Sequence, residues 1–401
     1  MIFRNLSAFL QSIGCAGVLS RLRSLRHAWT EWQRRRAAPV ILPNRSGQGR
    51  GRAGLAYVSS PFRGRATGLH SNEAEAHAMS IVLQDAGLEV VVFDFDTNSP
   101  PDVRGIDLLI GFGKVFEEAC RAGHPGQTRV LYHTGAYLPF QNAAELSRVD
   151  DFRRRHGAHL RPRRCVDPYG PASQHIPDGI ILLGNAWTAS TYASVARRIE
   201  TLDPTTNAHW IGPRQLPPAQ RRGLLWMGST GCLHKGLDLV IDAFPTLGTG
   251  WELHICGDDS ASEPDFWAHY ACLPSSIQRH GWVHPASSTM RTILDRCSFV
   301  ILPSCSEGMA TSVLAGMACG LVPIVTKETG IDVDGVGILI SSLEVNAVAT
   351  AMHSAAAMDE GQVTSLAAAA IERIAERHTL EVFTRRFAHL ISAYVAAPVH
   401  P

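Results

Sequence analysis

Lys235 and Glu307 are the two residues whose setting best suits joint chemistry on an anionic ligand. Lys is scarce in this chain, found only at 114, 235 and 327, with Arg used elsewhere. Lys235 lies in the loop Gly228-Ser-Thr-Gly-Cys-Leu-His-Lys-Gly236, between an apolar run, Leu224 to Met227, and helical spacing from Leu237 to Phe244. Glycines, hydroxyls and a lysine at a helix N-terminus offer a diphosphate amide donors, a favourable dipole and a cation. Glu307 lies in a second turn of this kind. Ser298-Phe-Val-Ile-Leu-Pro303 reads as a buried strand, and Val313, Leu314, Met317 and Ala318 follow at helical spacing until Gly320. Ser304, Glu307 and the amides of Gly308, Met309, Ala310 and Thr311 then fall at a strand's C-terminal end, where open α/β sheets bind ligands. Either loop alone also fits an ordinary strand–turn–helix unit. Two in one domain point to a nucleotide-diphosphate cleft.

The elements that must hold these loops repeat a β/α rhythm. Residues 1–36 carry apolar residues at helical spacing (Phe3, Leu6, Leu10, Ile13, then Leu22, Leu25, Trp29, Trp32) among many Arg. Such a stripe suits the surface of an anionic membrane, and it also fits a targeting peptide, a packed helix or a basic tail. Residues 37–53 read as a linker, so 1–53 form a basic leader. A first domain, 54–205, opens with a strand at Gly54 to Ser59, a loop containing Gly64 and Gly68, a helix capped near Ser71-Asn72, and a strand at Leu88 to Phe93. Gly64 and Gly68 do not make the G-x-G-x-x-G dinucleotide fingerprint. Further strands are expected at Ile106–Ile110, Arg129–His133 and Asp178–Leu183, with helices at Ala143–His156 and Asn185–Ile199. His133 ends its strand on the rim facing any ligand. Residues 201–222, rich in Pro, read as the interdomain linker. A second domain, 206–380, restarts the alternation, and 381–401 hold a last amphipathic helix, Leu380 to Val395, suited to packing across another domain. The fold expected is two Rossmann-like doubly wound parallel sheets facing a cleft.

Composition narrows the function classes. A length of 401 residues suffices for two cores, and a formal net charge of +1 argues against binding dominated by nucleic-acid phosphates. That sum hides ten Arg and one acid within residues 1–52. Nine Cys are scattered singly, without zinc-site spacing, and several (Cys256, Cys297, Cys319) fall in apolar runs, which suits a reducing, cytoplasmic setting. No apolar run is long enough to span a membrane. Asp94-Phe-Asp96 could hold a metal against a diphosphate, although acids at strand ends are common, and Asp332-Val-Asp334 is similar. No metal or tightly bound cofactor is expected.

As a set, the motifs resemble the group 1 (family 4) retaining glycosyltransferases of the GT-B fold. Those that carry the resemblance are Met227-Gly228 through Lys235-Gly236, His254-Ile-Cys-Gly257, Gly281-Trp-Val, Ser304-Cys-Ser-Glu307-Gly and Met317-Ala-Cys-Gly-Leu-Val-Pro323. They span most of 224–340; the first half is similar only in layout. The resemblance implies a nucleotide-sugar donor on the second domain, with Gly228, Ser229, His234, Lys235, Gly236, Ser304 and Glu307 to Thr311 around it. It implies a glycan or lipid-linked acceptor on the first domain near Gly64, Gly68 and His133. Lys235, Glu307 and His133 would be catalytic, Lys235 replacing a metal opposite the departing phosphates. Two positions depart from the pattern: Ser229 stands where an Arg is common, and Ala315 where a second Glu binds the ribose. The expected activity is sugar transfer in surface polysaccharide or glycolipid synthesis, at the inner face of the membrane if the leader lies on it. The alternatives are an impaired GT-B-like protein that binds a glycan or supports a partner, and a metal-dependent enzyme using Asp94 and Asp96.

Overall fold

The computed structural model describes residues 32, 36–47, 49–64, 70–97, 102–122, 124, 126–166, 178–194, 198–206, 220–257 and 263–395. Apart from Trp32 and Arg36, the leader helix expected at 1–36 lies outside them, as do Gly68 and 207–219 of the linker. In chain order the first domain contains β1 (Val40–Leu42), β2 (Arg52–Tyr57), α1 (Ser71–Asp85), β3 (Glu89–Asp94), β4 (Leu108–Gly111), α2 (Lys114–Ala122), β5 (Thr128–His133), α3 (Leu138–His156), β6 (Gly179–Leu183), α4 (Ala186–Ser190) and β7 (Ile199–Leu202). The second contains β8 (Gly223–Met227), α5 (Leu237–Ala243), β9 (Glu252–Cys256), α6 (Pro264–His269), β10 (Ile277–Gly281), α7 (Ser288–Arg296), β11 (Cys297–Leu302), α8 (Thr311–Ala318), β12 (Val322–Thr326) and β13 (Ile338–Ile340). Helices α9 (Val345–Ala356), α10 (Glu360–Arg377) and α11 (Leu380–Val395) follow.

The strands order as β1-β3-β2-β4-β5-β6-β7 in one sheet and β10-β9-β8-β11-β12-β13 in the other. Near-continuous apolar strands such as Cys297–Leu302, buried throughout, are what a sheet covered on both faces requires. In the second sheet the chain runs outward from β8 to β10, then restarts beside β8 with β11 and runs the other way. The loops after β8 and β11 therefore flank the point where strand order reverses, the place in a doubly wound sheet that opens a crevice for a ligand. Gly228–Gly236 and Pro303–Ala310 are those loops.

Three expectations change. The stretch 37–53 is not all linker: Val40–Leu42 pairs antiparallel with Val90–Val92 of β3, so the first sheet is parallel with one antiparallel edge. Asn185–Ile199 is not one helix. Asn185 caps only the short α4, accepting from the Thr188 amide, and Ile199 to Leu202 pairs with β6, because strand pairing at the sheet edge outweighs local helical pattern. The N-cap of α1 is His70, without a side-chain bond, rather than Ser71 or Asn72.

Two helices join the domains. Helix α11 lays Phe383, Phe387, Ile391 and Tyr394 into the core of the first domain, each such burial worth about 1.5–3 kcal/mol. Asp203 receives Arg377 and Arg386 where the chain returns. In the other direction α3 places Val149 and Phe152 in the core of the second domain. Its buried Arg148 bridges Asp151 at 2.5 Å and Asp238 of α5 at 2.6 Å, while Arg155 and His156 reach Asp238 and Asp242. Removing one partner of a buried pair strands the other charge. Arg148→Met leaves Asp238 with Arg155 as its remaining partner, and is expected to cost about 1.5–3 kcal/mol in urea unfolding, the worth of a charged hydrogen bond.

Glu75 of α1 is buried and accepts from both the amide, at 2.7 Å, and the hydroxyl of Thr205. Burial raises its carboxyl to about 7 against the opposing hydrogen bonds of Thr205 and Ser71. With the folded value raised, stability is fully present below the ordinary carboxyl range near 4.5, falls as pH rises to about 7, and stays reduced above it. The loss is on the order of 3 kcal/mol. Glu75→Gln keeps an acceptor for Thr205 and removes the charge. Thermal melts should therefore show the variant gaining on the parent between pH 5 and pH 8; a constant difference over that range would refute the assignment.

Candidate active site

Lys235 Nζ lies 2.5 Å from Glu307 Oε1, and both side chains are largely buried. The two loops expected to converge do so. Burial alone would raise the Glu307 carboxyl, but Lys235, His234 and Arg164 hold it down at about 2, so it is a carboxylate across the physiological range. The pair borders an interdomain cleft of about 560 Å³, together with Gly228, Ser229, Met309, Ala310, Thr311 and Ala315 of the second domain. The first domain contributes Tyr57, His70, Glu75, Phe112, Thr134 and Thr205. The eight-residue helix α8 begins at Thr311 on this cleft.

Local packing explains how the lysine is aimed. A Cβ on Gly228 would come within 2.9 Å of Lys235 Cδ and 2.6 Å of Trp226, so glycine makes room for the lysine stem. Buried Trp226 donates its indole N–H to the Lys235 carbonyl at 3.2 Å. Gly236 has φ +65° and packs where a Cβ would meet the Pro303 carbonyl oxygen at 2.1 Å, which locks the first loop onto the second. The Ser304 hydroxyl lies 3.1 Å from Glu307 Oε1 and orients it from behind.

His234 does not face the cleft. It is fully buried, with Nδ1 2.7 Å from Glu145 Oε2 of α3 and Nε2 2.5 Å from the Ser306 carbonyl oxygen. Its role is to tie both loops to the first domain. The other Glu145 oxygen accepts from the amides of Arg163 and Arg164 at 2.7 and 3.2 Å. Burial would raise the Glu145 carboxyl, but the bonds from His234, Arg163 and Arg164 keep it below the ordinary range.

His133 stands on the opposite wall, as expected from its strand end. It borders a second cavity of about 250 Å³ with Thr134, Glu307 and Gly308. Its Nδ1 is 2.9 Å from the Gly135 carbonyl oxygen and 2.6 Å from the Tyr192 hydroxyl, which itself donates to that carbonyl. The Gly135 amide also lies 3.3 Å from Nδ1, and burial lowers the His133 pKa, which keeps the ring neutral. Gly308 is wedged between the domains. Its carbonyl accepts from Thr188 at 2.7 Å, and a Cβ would sit 2.4 Å from the Thr134 carbonyl oxygen and 2.5 Å from that of Leu183.

Of the expected site residues, the structure gathers Gly228, Ser229, Lys235, Glu307, Met309, Ala310 and Thr311 at the larger cavity, and His133 and Gly308 at the smaller. Ser304, His234 and Gly236 support from behind. The Ala310 amide is already engaged by the Thr329 carbonyl, so it does not serve a ligand. Gly64 ends a short 3₁₀ turn and lines neither cavity. Asp94 accepts from Ser59 and Asp96 pairs with Lys114; among the described residues no cluster of three His, Cys, Asp or Glu could hold a metal. Sequence reasoning missed Glu75, Glu145, Arg164 and Tyr192. Nothing in local pattern marks them, because their partners lie 18 to 130 positions away in the chain.

Residues 221–357 match the family described as Glycosyl transferases group 1. No curated protein matches the chain in sequence. Among solved structures, sucrose-phosphate synthase from Thermosynechococcus elongatus is similar at 15% identity and a TM-score of 0.61, over 86% of this chain and 98% of that one. HepE from Anabaena, in complex with UDP-glucose, is 14% identical with a TM-score of 0.56, over 85% and 99%. WaaG, a glycosyltransferase involved in lipopolysaccharide biosynthesis, is 15% identical with a TM-score of 0.54, over 85% and 99%. The chain spans about half of TarM, 54% of its length, at 14% identity and a TM-score of 0.49. At these identities the likeness is one of fold. Two doubly wound sheets, a cleft at their switch points and a last helix returning to the first domain make this a GT-B-fold protein, and the part of it that matches the group 1 glycosyl transferases, residues 221–357, lies in the second domain.

Proposed function

We propose that the protein is a metal-independent, retaining glycosyltransferase that moves a sugar from a nucleoside-diphosphate sugar to a glycan or lipid-linked acceptor, in surface polysaccharide or glycolipid synthesis. The observation that carries this reading is the Lys235–Glu307 pair on one cleft between the domains. Lys235 supplies the cation for the departing diphosphate, where charge develops in the transition state. Its ammonium has three donors, so it can bond a phosphate oxygen while still touching Glu307. Glu307 and the Gly308 turn face the donor sugar, and His133 faces it from across the gap. HepE, a protein of like fold, holds UDP-glucose, which supports a nucleotide sugar as donor.

Purified protein screened against UDP-, GDP- and ADP-sugars should release a nucleoside diphosphate with one of them, insensitive to EDTA. Lys235→Ala should lower turnover about 10²- to 10³-fold, as the loss of one donor to a developing charge does. Full turnover in that variant would sink the reading.

Ser229 and Ala315 favour a second reading, a glycan-binding or partner-supporting protein with impaired catalysis. A methyl group at 315 on the cleft wall offers the ribose no hydrogen bond. Calorimetry that finds no affinity for any of the three nucleotide sugars, with a glycan still bound, would decide for it.

Among the described residues no helix is long and apolar enough to cross a membrane. The arginine-rich segment 1–36 supplies the contact with anionic lipid in this proposal. The full chain should sediment with vesicles containing phosphatidylglycerol and not with phosphatidylcholine alone, and a chain lacking 1–36 should remain in the supernatant in both.

A further inference from the structure

The smaller cavity meets the donor cleft at Thr134 and Glu307, which border both. A group seated there would lie beside the sugar of the donor, on the side of His133. Its wall is cationic. Arg163 and Arg164 line it, and among the described residues its one carboxylate, Glu307, is already paired with Lys235.

Arg164 is held from three directions. Its amide donates to Glu145, its carbonyl accepts from Gln141 Nε2 at 2.9 Å, and its stem lies against Gly231, where a Cβ would come within 2.5 Å of Arg164 Cγ. Among the described residues its guanidinium makes no hydrogen bond, and its Nε is buried without a partner. A planar fork of N–H donors, fixed by its stem and lacking an acceptor, is matched to a carboxylate or a phosphate.

We infer that the cavity beside Glu307 takes an anionic group of the acceptor, a carboxylate or a phosphate on the accepting sugar, with Arg164 as the residue that selects it. This rests on the transferase reading and names its acceptor class. The acceptor's neutral ring lies toward His133. The larger cleft is left to the nucleotide.

The test uses the full chain and three probes: 4-nitrophenyl β-D-glucuronide, 4-nitrophenyl β-D-glucoside and glucose 6-phosphate, with affinity read by calorimetry. One charged hydrogen-bonded contact is worth roughly a ten- to hundredfold difference. At least one anionic probe should therefore bind ten- to hundredfold more tightly than the glucoside, and which one does so tells carboxylate from phosphate. Arg164→Gln should abolish that preference, and Arg164→Lys should keep part of it, which also shows that position 164 tolerates change. Nucleoside-diphosphate affinity in Arg164→Gln should stay within about twofold of the parent. No anionic preference in the parent, or a preference unaffected in Arg164→Gln, overturns the inference. A tenfold loss of nucleotide affinity in Arg164→Gln also overturns it, by assigning the arginine to the donor. Nucleotide binding by the parent chain reports on the transferase reading alone, so the two failures are distinguishable.

Discussion

One buried carboxylate sets the geometry of the site. Glu145 projects from the first domain and bonds His234 of one glycine loop, while His234 bonds the Ser306 carbonyl of the other. An unpaired carboxylate at this depth would cost several kcal/mol, and this one is satisfied on both oxygens. Lys235 follows His234 and Glu307 follows Ser306. The spacing of Lys235 and Glu307 is thus tied to a residue of the opposite domain. Arg164 hangs from the same carboxylate through its amide, so the position of the cationic wall is inherited from it as well.

The charge arrangement has a consequence for how a ligand is received. With the cleft empty, Lys235 and Glu307 neutralise each other, which lets two ionised groups persist at low exposure. A diphosphate would draw the lysine while the glutamate repels it. The glutamate then limits how far the ammonium can swing and leaves it between carboxylate and phosphate. Ser304, close to the same carboxylate oxygen, keeps Glu307 from following the lysine outward.

What was legible in the sequence was whatever local pattern encodes. Strand, glycine turn and helix N-terminus are short-range signals, so the loops at 228–236 and 304–311 could be found and their convergence inferred from the alternation of β and α. The apolar side of Leu380 to Val395 was equally plain, and the helix packs as its pattern implies. What escaped was set by distance along the chain. A three-residue strand such as Val40–Leu42 has no periodicity to read, and Ile199 to Leu202 is a strand because β6 lies beside it. The family resemblance puts His234 at the ligand, at a position where a second basic residue is common. In this loop the lysine faces the cleft, while the histidine is turned back onto Glu145.

The same contacts bear on how the domains move. Hinge opening is a common way for a two-domain cleft to admit its ligand. Here it would have to separate Arg148 and Arg155 from Asp238 and Asp242, and lift Val149 and Phe152 out of the core of the second domain. It would also have to break the contact of Gly308 with Thr134, Leu183 and Thr188. Those links all lie on the α3 and Gly308 side. The cleft of about 560 Å³ runs from Thr134 and Leu183, beside that contact, to the exposed Trp282. Those contacts favour a cleft that receives its ligand with the domains in register over one that opens by a wide swing.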